Sequence, residues 1–360
     1  MKRIQKIVQT MLILTGVVSW SAAFSQTNVS DLIKSSPADA TKMAEAYLNP
    51  FFKGFGFGLN SGWNYTAKAK NAGRFELRVA LTGSLVPSKD KTFDVTTLGL
   101  SNSIQLANGE NPLSPTVSGS KVAGPLMNVK DSDGNTLESF NLPAGANLPI
   151  VPTAQIQGTI GLPKGIDLTL RGIPEVKLPD NGGAINMIGG GIKLEILPLI
   201  AGKTASKVLP FDLAVALGYT QFNYKLDLDA RPVGNAQPKD LQQNTDFSNQ
   251  QLKAKLSGVN AEVILSKKLL AFIPFVSVGY NTSKTDVALK GNYPVITDFL
   301  LTVPTYTTYT DPVKTNKTDI SGLRGNVGFQ LNLAVFRLFA AYSLGEYSSV
   351  NAGIGLGFGK

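Results

Sequence analysis

The stretch N-P-F-F-K-G-F-G-F-G-L-N-S-G-W-N-Y, Asn49–Tyr65, decides the fold that the sequence predicts. From Phe55 onward, aromatic and apolar residues alternate with glycine and asparagine. Because successive side chains of a β-strand point to opposite faces, this alternation predicts a strand over 54–67 with one apolar face. In a water-soluble sandwich that face forms the core, whereas in a membrane barrel it contacts lipid and the small residues line the lumen.

The end of the chain carries the same pattern and favours the barrel. Between Val350 and Phe358, apolar residues alternate with Asn351 and with glycines. The first and last strands of a closed barrel are neighbours, so their glycines are expected to form one patch without side chains on the inner wall. This expected glycine seat consists of Gly56, Gly58, Gly62, Gly353, Gly355 and Gly357.

The segment before the stretch has the composition of a helix. Residues 37–48 are rich in helix formers, with Met43, Tyr47 and Leu48 at helical spacing. Ser36 is a suitable N-cap, and Asn49-Pro50 is expected to end the helix because proline disfavours helical geometry in the preceding residue. We expect a short plug helix inside the barrel on the glycine seat. The alternative is a loose helix in the periplasm or at the membrane surface.

The first 25 residues have the pattern of a secretory signal peptide. Lys2, Arg3 and Lys6 precede an apolar run that ends at Trp20, and small residues lead to an expected cleavage after Ser25. The predicted organisation is therefore a signal peptide over 1–25, an N-terminal segment with the plug helix over 26–53, and an outer-membrane β-barrel over 54–360.

Composition excludes several kinds of site. The chain has no cysteine and no histidine, which removes disulfides, a histidine base and the usual zinc ligands, so we expect neither an enzyme nor a cofactor or metal. Without the signal peptide, 31 basic residues face 25 acidic ones and no basic run is present. This even distribution of positive charge favours a surface next to outer-membrane lipid and lipopolysaccharide over nucleic-acid binding. We expect the protein to be a monomer.

Alternating segments recur along the chain and predict an all-β fold, a transmembrane antiparallel β-barrel of about 12 strands with the helix inside or capping its lumen. The long connections are expected at 107–153, 174–186, 227–250 and 289–317, on the opposite side from the short turns. This asymmetry is typical of the outer membrane of Gram-negative cells. The predicted strands are 54–67, 73–86, 93–106, 154–162, 165–173, 187–198, 208–226, 251–265, 270–288, 318–334, 337–344 and 348–359.

Nine charged residues are predicted to face the lumen, on the opposite side of their strands from the apolar residues. Either they form a constriction that selects solutes by charge, or they pair across the wall and pack a wet interior around the helix. The nine residues are Arg74, Glu76, Arg78, Asp167, Arg171, Lys193, Glu195, Glu262 and Arg324.

Two stretches carry a resemblance to a known family. A-E-A-Y-L-N-P-F-F-K-G-F-G-F-G-L-N-S-G-W (residues 44–63) and A-A-Y-S-L-G-E-Y-S-S-V-N-A-G-I-G-L-G-F (residues 340–358) resemble a family of uncharacterised outer-membrane proteins from Bacteroidota, a domain of unknown function. More loosely, the helix before the first strand is similar to the N-terminal hatch of the long-chain fatty-acid and aromatic-hydrocarbon transporters. The present chain is shorter, with fewer predicted strands and a polar predicted lumen.

Together these patterns predict a channel or transporter for a small solute, gated or narrowed by the N-terminal helix. The alternative is a non-conducting barrel whose long outer loops, 107–153 and 289–317, bind a surface or secretion partner.

Overall fold

The computed structural model describes residues 37–130, 134–179, 181–202, 209–232, 234–300 and 303–358. The predicted signal peptide, its cleavage site near Ser25 and the N-cap at Ser36 lie outside these residues. In this part of the chain, no helix has both the length and the hydropathy of a membrane span.

Two α-helices and eighteen strands make up the described chain. In chain order they are α1 (Pro37–Leu59), β1 (Phe75–Leu85), β2 (Thr92–Asp94), β3 (Ile104–Leu106), β4 (Leu113–Pro115), β5 (Leu126–Lys130), β6 (Thr136–Asn141), β7 (Ile150–Leu162), β8 (Ile166–Lys177), β9 (Ala184–Glu195), α2 (Leu197–Ile200), β10 (Asp212–Asp227), β11 (Gln237–Pro238), β12 (Gln251–Ser266), β13 (Phe272–Lys290), β14 (Asn292–Leu300), β15 (Val303–Thr310), β16 (Lys314–Leu333), β17 (Phe336–Leu344) and β18 (Ser348–Phe358).

Ten of these strands close into an antiparallel barrel, in the order β1-β18-β17-β16-β13-β12-β10-β9-β8-β7. The barrel closes because β1 pairs with β18 on one side and with β7 on the other, so that Phe75 lies opposite both Phe358 and Ile160. The all-β closed barrel with a helix at its N-terminal end is therefore confirmed, but the prediction of about 12 strands is wrong.

Two predicted strands account for the difference. Residues 54–59 belong to α1, and residues 60–74 run through the barrel without forming a strand. Residues 93–106 lie within the long connection between β1 and β7, where only short strands occur. The wall therefore begins at Phe75 rather than at Gly54, and the neighbour of the last strand is β1.

α1 continues past the expected stop at Asn49-Pro50 because a stripe of apolar residues recurs along it at every fourth position. Met43, Tyr47, Phe51, Phe55 and Leu59 are all buried. A proline inside a helix costs about 3 kcal/mol, and burial of a large apolar side chain contributes roughly 1.5–3 kcal/mol. The burial of three such residues after Pro50 outweighs the cost of the proline.

The three longest connections lie at one end of the barrel, as the sequence predicts, but the long connection predicted at 174–186 is wrong. The strands on either side extend into it, so only residues 178–183 join β8 to β9 at that end, where the short connection 345–347 also lies. The long-connection end carries 86–149, 228–250 and 291–313, whereas the short-turn end carries 163–165, 267–271 and 334–335. One longer connection, 196–211, which contains α2, lies at the short-turn end. At the long-connection end, β2–β6 form two small sheets, and β11, β14 and β15 form a third.

Candidate functional site

The lumen is occupied by the chain itself, and we call residues 37–74 the plug. α1 enters at the long-connection end, where Met43 packs among Ile104, Met127 and Phe140 of the connection between β1 and β7. The backbone N–H of Ser101 donates to Asp39 Oδ1 at 2.9 Å, which fixes the beginning of the helix to the same connection. The plug then descends through the barrel and reaches β1 at the short-turn end.

The upper half of the plug forms an apolar core with the wall. Phe51, Phe55 and Leu59 of α1 belong to one buried cluster with Val151 of β7 and Phe222 of β10. The rings of Phe55 and Phe222 lie with their centroids 4.8 Å apart. Leu48, predicted to face the barrel wall with Met43 and Tyr47, is half-buried against this cluster.

Glycines of α1 bring the helix backbone against the wall. A Cβ atom added to Gly54 would lie 2.7 Å from Val151 Cγ2, and one on Gly56 would lie 2.6 Å from Ser283 Cβ. A Cβ on Gly58 would lie 3.0 Å from Thr153 Cβ. The side-chain-free surface is therefore on the helix, which fits closely against β7 and β13.

The prediction that the glycines of the last strand form a seat for the helix is wrong, because side chains of the wall occupy the space beside them. Cβ atoms on Gly353, Gly355 and Gly357 would meet Phe339 at 2.7 Å, Arg78 at 3.0 Å and Arg337 at 3.1 Å, respectively. These glycines make room for side chains of the wall, and the helix lies elsewhere. Gly62 is in the segment after α1, where its φ of +72° allows the chain to turn.

Two arginines of the wall hold the end of α1. Arg171 of β8 donates from Nη1 to Leu59 O at 2.8 Å and from Nη2 to Ser61 O at 3.0 Å, and its guanidinium lies 3.9 Å from the ring centre of Trp63. The last carbonyls of a helix lack partners within the helix and carry partial negative charge. The buried guanidinium of Arg171 supplies hydrogen bonds to the carbonyls at the end of the helix and a positive charge next to their partial negative charge.

Arg324 of β16 does the same from the opposite side. It donates to Phe57 O at 3.1 Å and to the hydroxyl oxygens of Ser61 and Ser343 at 2.6 and 2.8 Å. Its guanidinium lies 4.2 Å from the ring centre of Phe57. We call Arg171 and Arg324 the arginine clamp.

Below the clamp, aromatic residues of the plug fill the lumen. Tyr65 stacks on Phe339 of β17 with a centroid distance of 4.1 Å and donates to Asn351 of β18. Arg78 lies 5.4 Å from the ring centre of Tyr65 and its Nε is 2.5 Å from Glu76 Oε1. The lumen is therefore closed here by rings and by a buried ion pair.

The lowest part of the plug carries two lysines that complete the ion pairs of the wall. Lys68 Nζ lies 2.7 Å from Glu195 Oε1, and Lys70 Nζ lies 3.5 Å from Glu76 Oε2. On the wall, Lys193 and Asp167 are directly opposite each other on β9 and β8 with their charged atoms 2.9 Å apart. The sequence prediction missed Lys68 and Lys70, because their stretch was assigned to the end of a strand and a turn.

Eight of the nine predicted charges belong to the wall, where the structure places them in contact with the plug or with each other. Glu262 accepts from Asn64 of the plug at 3.1 Å and from Ser277 of the wall at 2.9 Å. The ninth, Arg74, precedes β1 and is half-buried at the short-turn end. Five of the eight form ion pairs, whereas Arg171, Glu262 and Arg324 bind the plug through hydrogen bonds, and the choice between a charge filter and a packed interior stays a prediction.

A cavity of about 870 Å³ opens below the plug at the short-turn end. Its charged lining is mainly basic, with two carboxylates. These charged residues are Lys68, Lys70, Arg74, Lys268, Arg337, Glu76 and Asp212. We call this space the vestibule.

The sequence was compared with protein-family models. The model of a family of unknown function, DUF6588, matches residues 1–358. The chain belongs to this family. This agrees with the resemblance to a domain of unknown function, while the expected Bacteroidota origin stays a prediction. A comparison with curated proteins finds no match.

Solved barrels show a distant likeness. The translocator domain of autotransporter NalP from Neisseria meningitidis has a TM-score of 0.30 and 10% identity, covering 81% of this chain and 90% of that chain. The outer-membrane protease OmpT from Escherichia coli has a TM-score of 0.30 and 11% identity, covering 83% and 100%. The toluene transporter TbuX from Ralstonia pickettii has a TM-score of 0.22 and 7% identity, covering 80% and 90%.

Proposed function

We propose that this protein is an outer-membrane β-barrel closed by its own plug, and that it passes a small solute when the plug is displaced. The observation that carries the membrane embedding is the outer face of the wall. Cross-strand neighbours on that face are apolar on all ten strands, as in Leu77 opposite Leu356, Leu217 opposite Ile192, and Val263 opposite Val278. We call this surface the apolar band.

The band is exposed to a degree that a water-soluble protein avoids. Leu323 is 74% exposed, and large apolar residues of every barrel strand lie at the surface. Apolar patches on soluble monomers are seldom larger than a few hundred Å². A charge at the middle of a lipid-facing wall costs about 2–4 kcal/mol, and the outward positions of the band carry none on the described strands. Lipid is the solvent that fits this face.

In a bilayer, the long connections are expected on the outside of the cell and the short turns in the periplasm. α1 then begins at the outer mouth and the vestibule opens to the periplasm. Transport is supported by the lower half of the plug, which is held by hydrogen bonds and ion pairs that water can replace. Two of the basic residues of the vestibule, Lys68 and Lys70, belong to the plug, so its displacement would leave their carboxylate partners on the wall facing the solute.

A second function is supported by the upper half of the plug. Phe51, Phe55, Phe57 and Leu59 are buried in an apolar core, and displacement would expose them to water. The connection between β1 and β7 also forms a folded cap over the same end. These features suit a non-conducting barrel that presents folded outer loops to a partner. No catalytic role forms part of either proposal.

Single-channel conductance in a planar bilayer separates the two functions. We expect the intact protein to stay closed and a variant lacking residues 37–70 to open a stable pore. A variant lacking only residues 37–50 is the matched control. It should stay closed, because Phe57, Trp63 and Tyr65 remain with the arginine clamp.

Two results would count against the plugged channel, namely the first and the last of the following, and the other would move the site of closure within the plug. If the 37–70 deletion inserts into the bilayer but does not conduct, the wall itself is shut and the second function applies. If the 37–50 deletion opens as wide a pore, the closure lies in the helix rather than at the clamp. If the intact protein fails to enter bilayers, the membrane embedding is wrong.

A further inference from the structure

Five lysines project from the outer face of four neighbouring strands, just above the apolar band at the long-connection end. Lys225 of β10 lies directly opposite Lys253 of β12. Ala288 of β13 separates Lys253 from Lys314 of β16 in the same row. The other two lie closer to the band. They are Lys255, opposite Asn223 and Asp286, and Lys284, opposite Ser257 and Thr318.

This arrangement is unfavourable for the isolated chain. Like charges directly opposite each other on neighbouring strands destabilise a sheet. Lys225 has one weak partner, Asp227, with Nζ and Oδ1 3.8 Å apart. Across the described chain, no carboxylate lies within 4.0 Å of the ammonium groups of Lys253, Lys255 or Lys314. Carboxylates near these lysines, such as Asp286 opposite Lys255, offset only part of the positive charge, and the remainder is available to a partner outside the chain.

The lysines also border a groove. A cavity of about 380 Å³ lies among Lys225, Lys253, Lys255 and Lys314. Two alanines of the same row, Ala184 and Ala288, line it and leave space between the long lysine side chains. Two carboxylates, Glu175 and Asp286, lie in the same lining, and Asp286 already accepts a hydrogen bond from Asn316. The balance at the groove is positive.

One polar row, with Gln221, Ser257, Lys284 and Thr318, separates the groove from the apolar band. Two rows below Lys255, Tyr219 lies opposite Val259, and Tyr280 belongs to the row beneath them. Tyr219 and Tyr280 are both about half-exposed. An occupant of the groove therefore meets cations at one end and an apolar wall at the other, which is the pattern that an anionic lipid matches.

The width of the lysine row narrows the choice of lipid. Neighbouring strands are about 4.8 Å apart, so the three spacings from Lys225 to Lys314 span roughly 14 Å. One phosphate group cannot contact both ends of this row, whereas two phosphates on opposite ends of a disaccharide can.

We propose that the groove binds the two phosphate groups of a bisphosphorylated glycolipid of the outer leaflet, whose acyl chains lie along the apolar band. The proposal rests on the membrane embedding proposed above. It assigns a lipid site to the exterior of the barrel, at a distance from the vestibule.

Native mass spectrometry of the detergent-solubilised protein tests the proposal, with diphosphoryl lipid A as the probe. The test variant replaces Lys225, Lys253, Lys255 and Lys314 with alanine. A control variant removes the same charge from four exposed lysines outside the groove. The control residues are Lys89, Lys121, Lys164 and Lys267. Because lysines attract anionic lipid headgroups, we expect the test variant to bind lipid A at least about tenfold more weakly than the wild type.

The further expectations are specific to the chemistry. The control variant and a variant with arginine at the four groove positions should bind lipid A like the wild type, and monophosphoryl lipid A should bind more weakly to the wild type. Equal binding by the test variant and the wild type, or an equal loss in the control, would overturn the proposal. Displacement of lipid A by inorganic phosphate alone would also overturn it, because the site would then recognise free phosphate.

Insertion into phosphatidylcholine vesicles is measured for the same variants. Failure of the wild type to insert refutes the membrane embedding and with it the lipid site. Normal insertion together with unchanged lipid A binding in the test variant refutes the lipid site alone.

Discussion

Replacement of Arg171 by methionine should release the end of the plug while the wall stays intact. Methionine fills much of the arginine volume but donates no hydrogen bond, so Leu59 O and Ser61 O lose their buried donors. Each unsatisfied buried acceptor costs about 1–3 kcal/mol, and the lost stack on Trp63 adds up to about 2 kcal/mol. Removal of the burial cost of the charge offsets part of this, which leaves a destabilisation of roughly 3–5 kcal/mol.

Hydrogen exchange measured by mass spectrometry reports this change locally. Regions of a protein open with their own free energies, so a loss of 3–5 kcal/mol at the clamp should speed exchange of the plug amides between Gly54 and Tyr65 by roughly 10²–10³-fold or more. The amides of β12 and β13, which do not contact Arg171, should keep their protection. The same variant should open transient conducting steps in the bilayer assay.

The matched control is Arg231 replaced by methionine. This arginine lies in the exposed connection after β10 and pairs with Asp229 at 2.5 Å, with both side chains more than half exposed. Exposed ion pairs contribute at most about 1 kcal/mol, so exchange of the plug should not change. The reasoning is refuted if the Arg171 variant leaves plug exchange unaltered, or if β12 and β13 lose protection equally, since Arg171 would then stabilise the barrel as a whole.

Three further predictions concern the plug, the outer mouth and the lipid groove. Gly54→Ala should overpack the contact between α1 and β7 and lower the free energy of unfolding by about 1–3 kcal/mol in a urea titration, whereas Gly190→Ala should be tolerated, because its Cβ would lie at an ordinary contact distance of 4.0 Å from Thr169 O. Burial, and then a hydrogen bond to a loop aspartate, raise the pKa of Tyr347, so its contribution to thermal stability should be constant below pH 10 and decline above it, and Tyr347→Phe should flatten this decline. If the melting temperature falls equally above pH 10 in the wild type and in Tyr347→Phe, the decline does not come from Tyr347. Lys253→Glu should stabilise the lipid-free protein by about 0.2–1 kcal/mol through pairing with Lys225, while it weakens lipid A binding. A variant in which stability and lipid A affinity both rise, or both fall, would be inconsistent with the groove.

The wall could be predicted from the sequence because the inward face of each strand is polar and the outward face is apolar. Segments such as Arg74–Leu81 and Leu323–Leu333 alternate polar and apolar residues over many positions, and a one-residue slip would place charges on the outer face. The ten predicted segments other than 54–67 and 93–106 correspond to the ten strands of the barrel. The outward residues of the apolar band can therefore be assigned from this alternation alone, without knowledge of tertiary contacts.

The plug could not be predicted in the same way because its sequence satisfies two periods. Phe55, Phe57 and Leu59 fit a strand of period two, while Phe51, Phe55 and Leu59 fit a helix stripe with steps of four. Glycine at positions 54, 56 and 58 disfavours a helix by about 1 kcal/mol each relative to alanine, and the alternation of period two then indicated a strand. The close approach of α1 to β7 and β13 reverses this preference, and that approach is visible only in the folded barrel.

The arginine clamp was found as a set of inward charges, but its role was hidden. Arg171 and Arg324 lie more than 100 residues from the carbonyls that they hold, and a sequence pattern does not show which group a lumenal cation meets. The same holds for Lys68 and Lys70, whose carboxylate partners lie on strands far along the chain. Pairing across a barrel depends on shear and stagger, which the hydrophobic pattern alone leaves open.

The strand number decides how the closure of this barrel is to be understood. A barrel of about eight strands is just filled by its own side chains, whereas about sixteen strands leave an aqueous channel. Ten strands therefore leave a lumen wide enough for one extended or helical segment but too narrow for a separate domain. The glycines of α1 reflect this limit, since no Cβ fits at Gly54 or Gly56 without moving the wall. A solute can pass only if the plug leaves or rearranges, because the two cannot share the lumen side by side. The ion pairs of Lys68 and Lys70 with the wall must therefore break before a solute passes. Charge selection in the open barrel should then act through the wall carboxylates that these lysines leave behind.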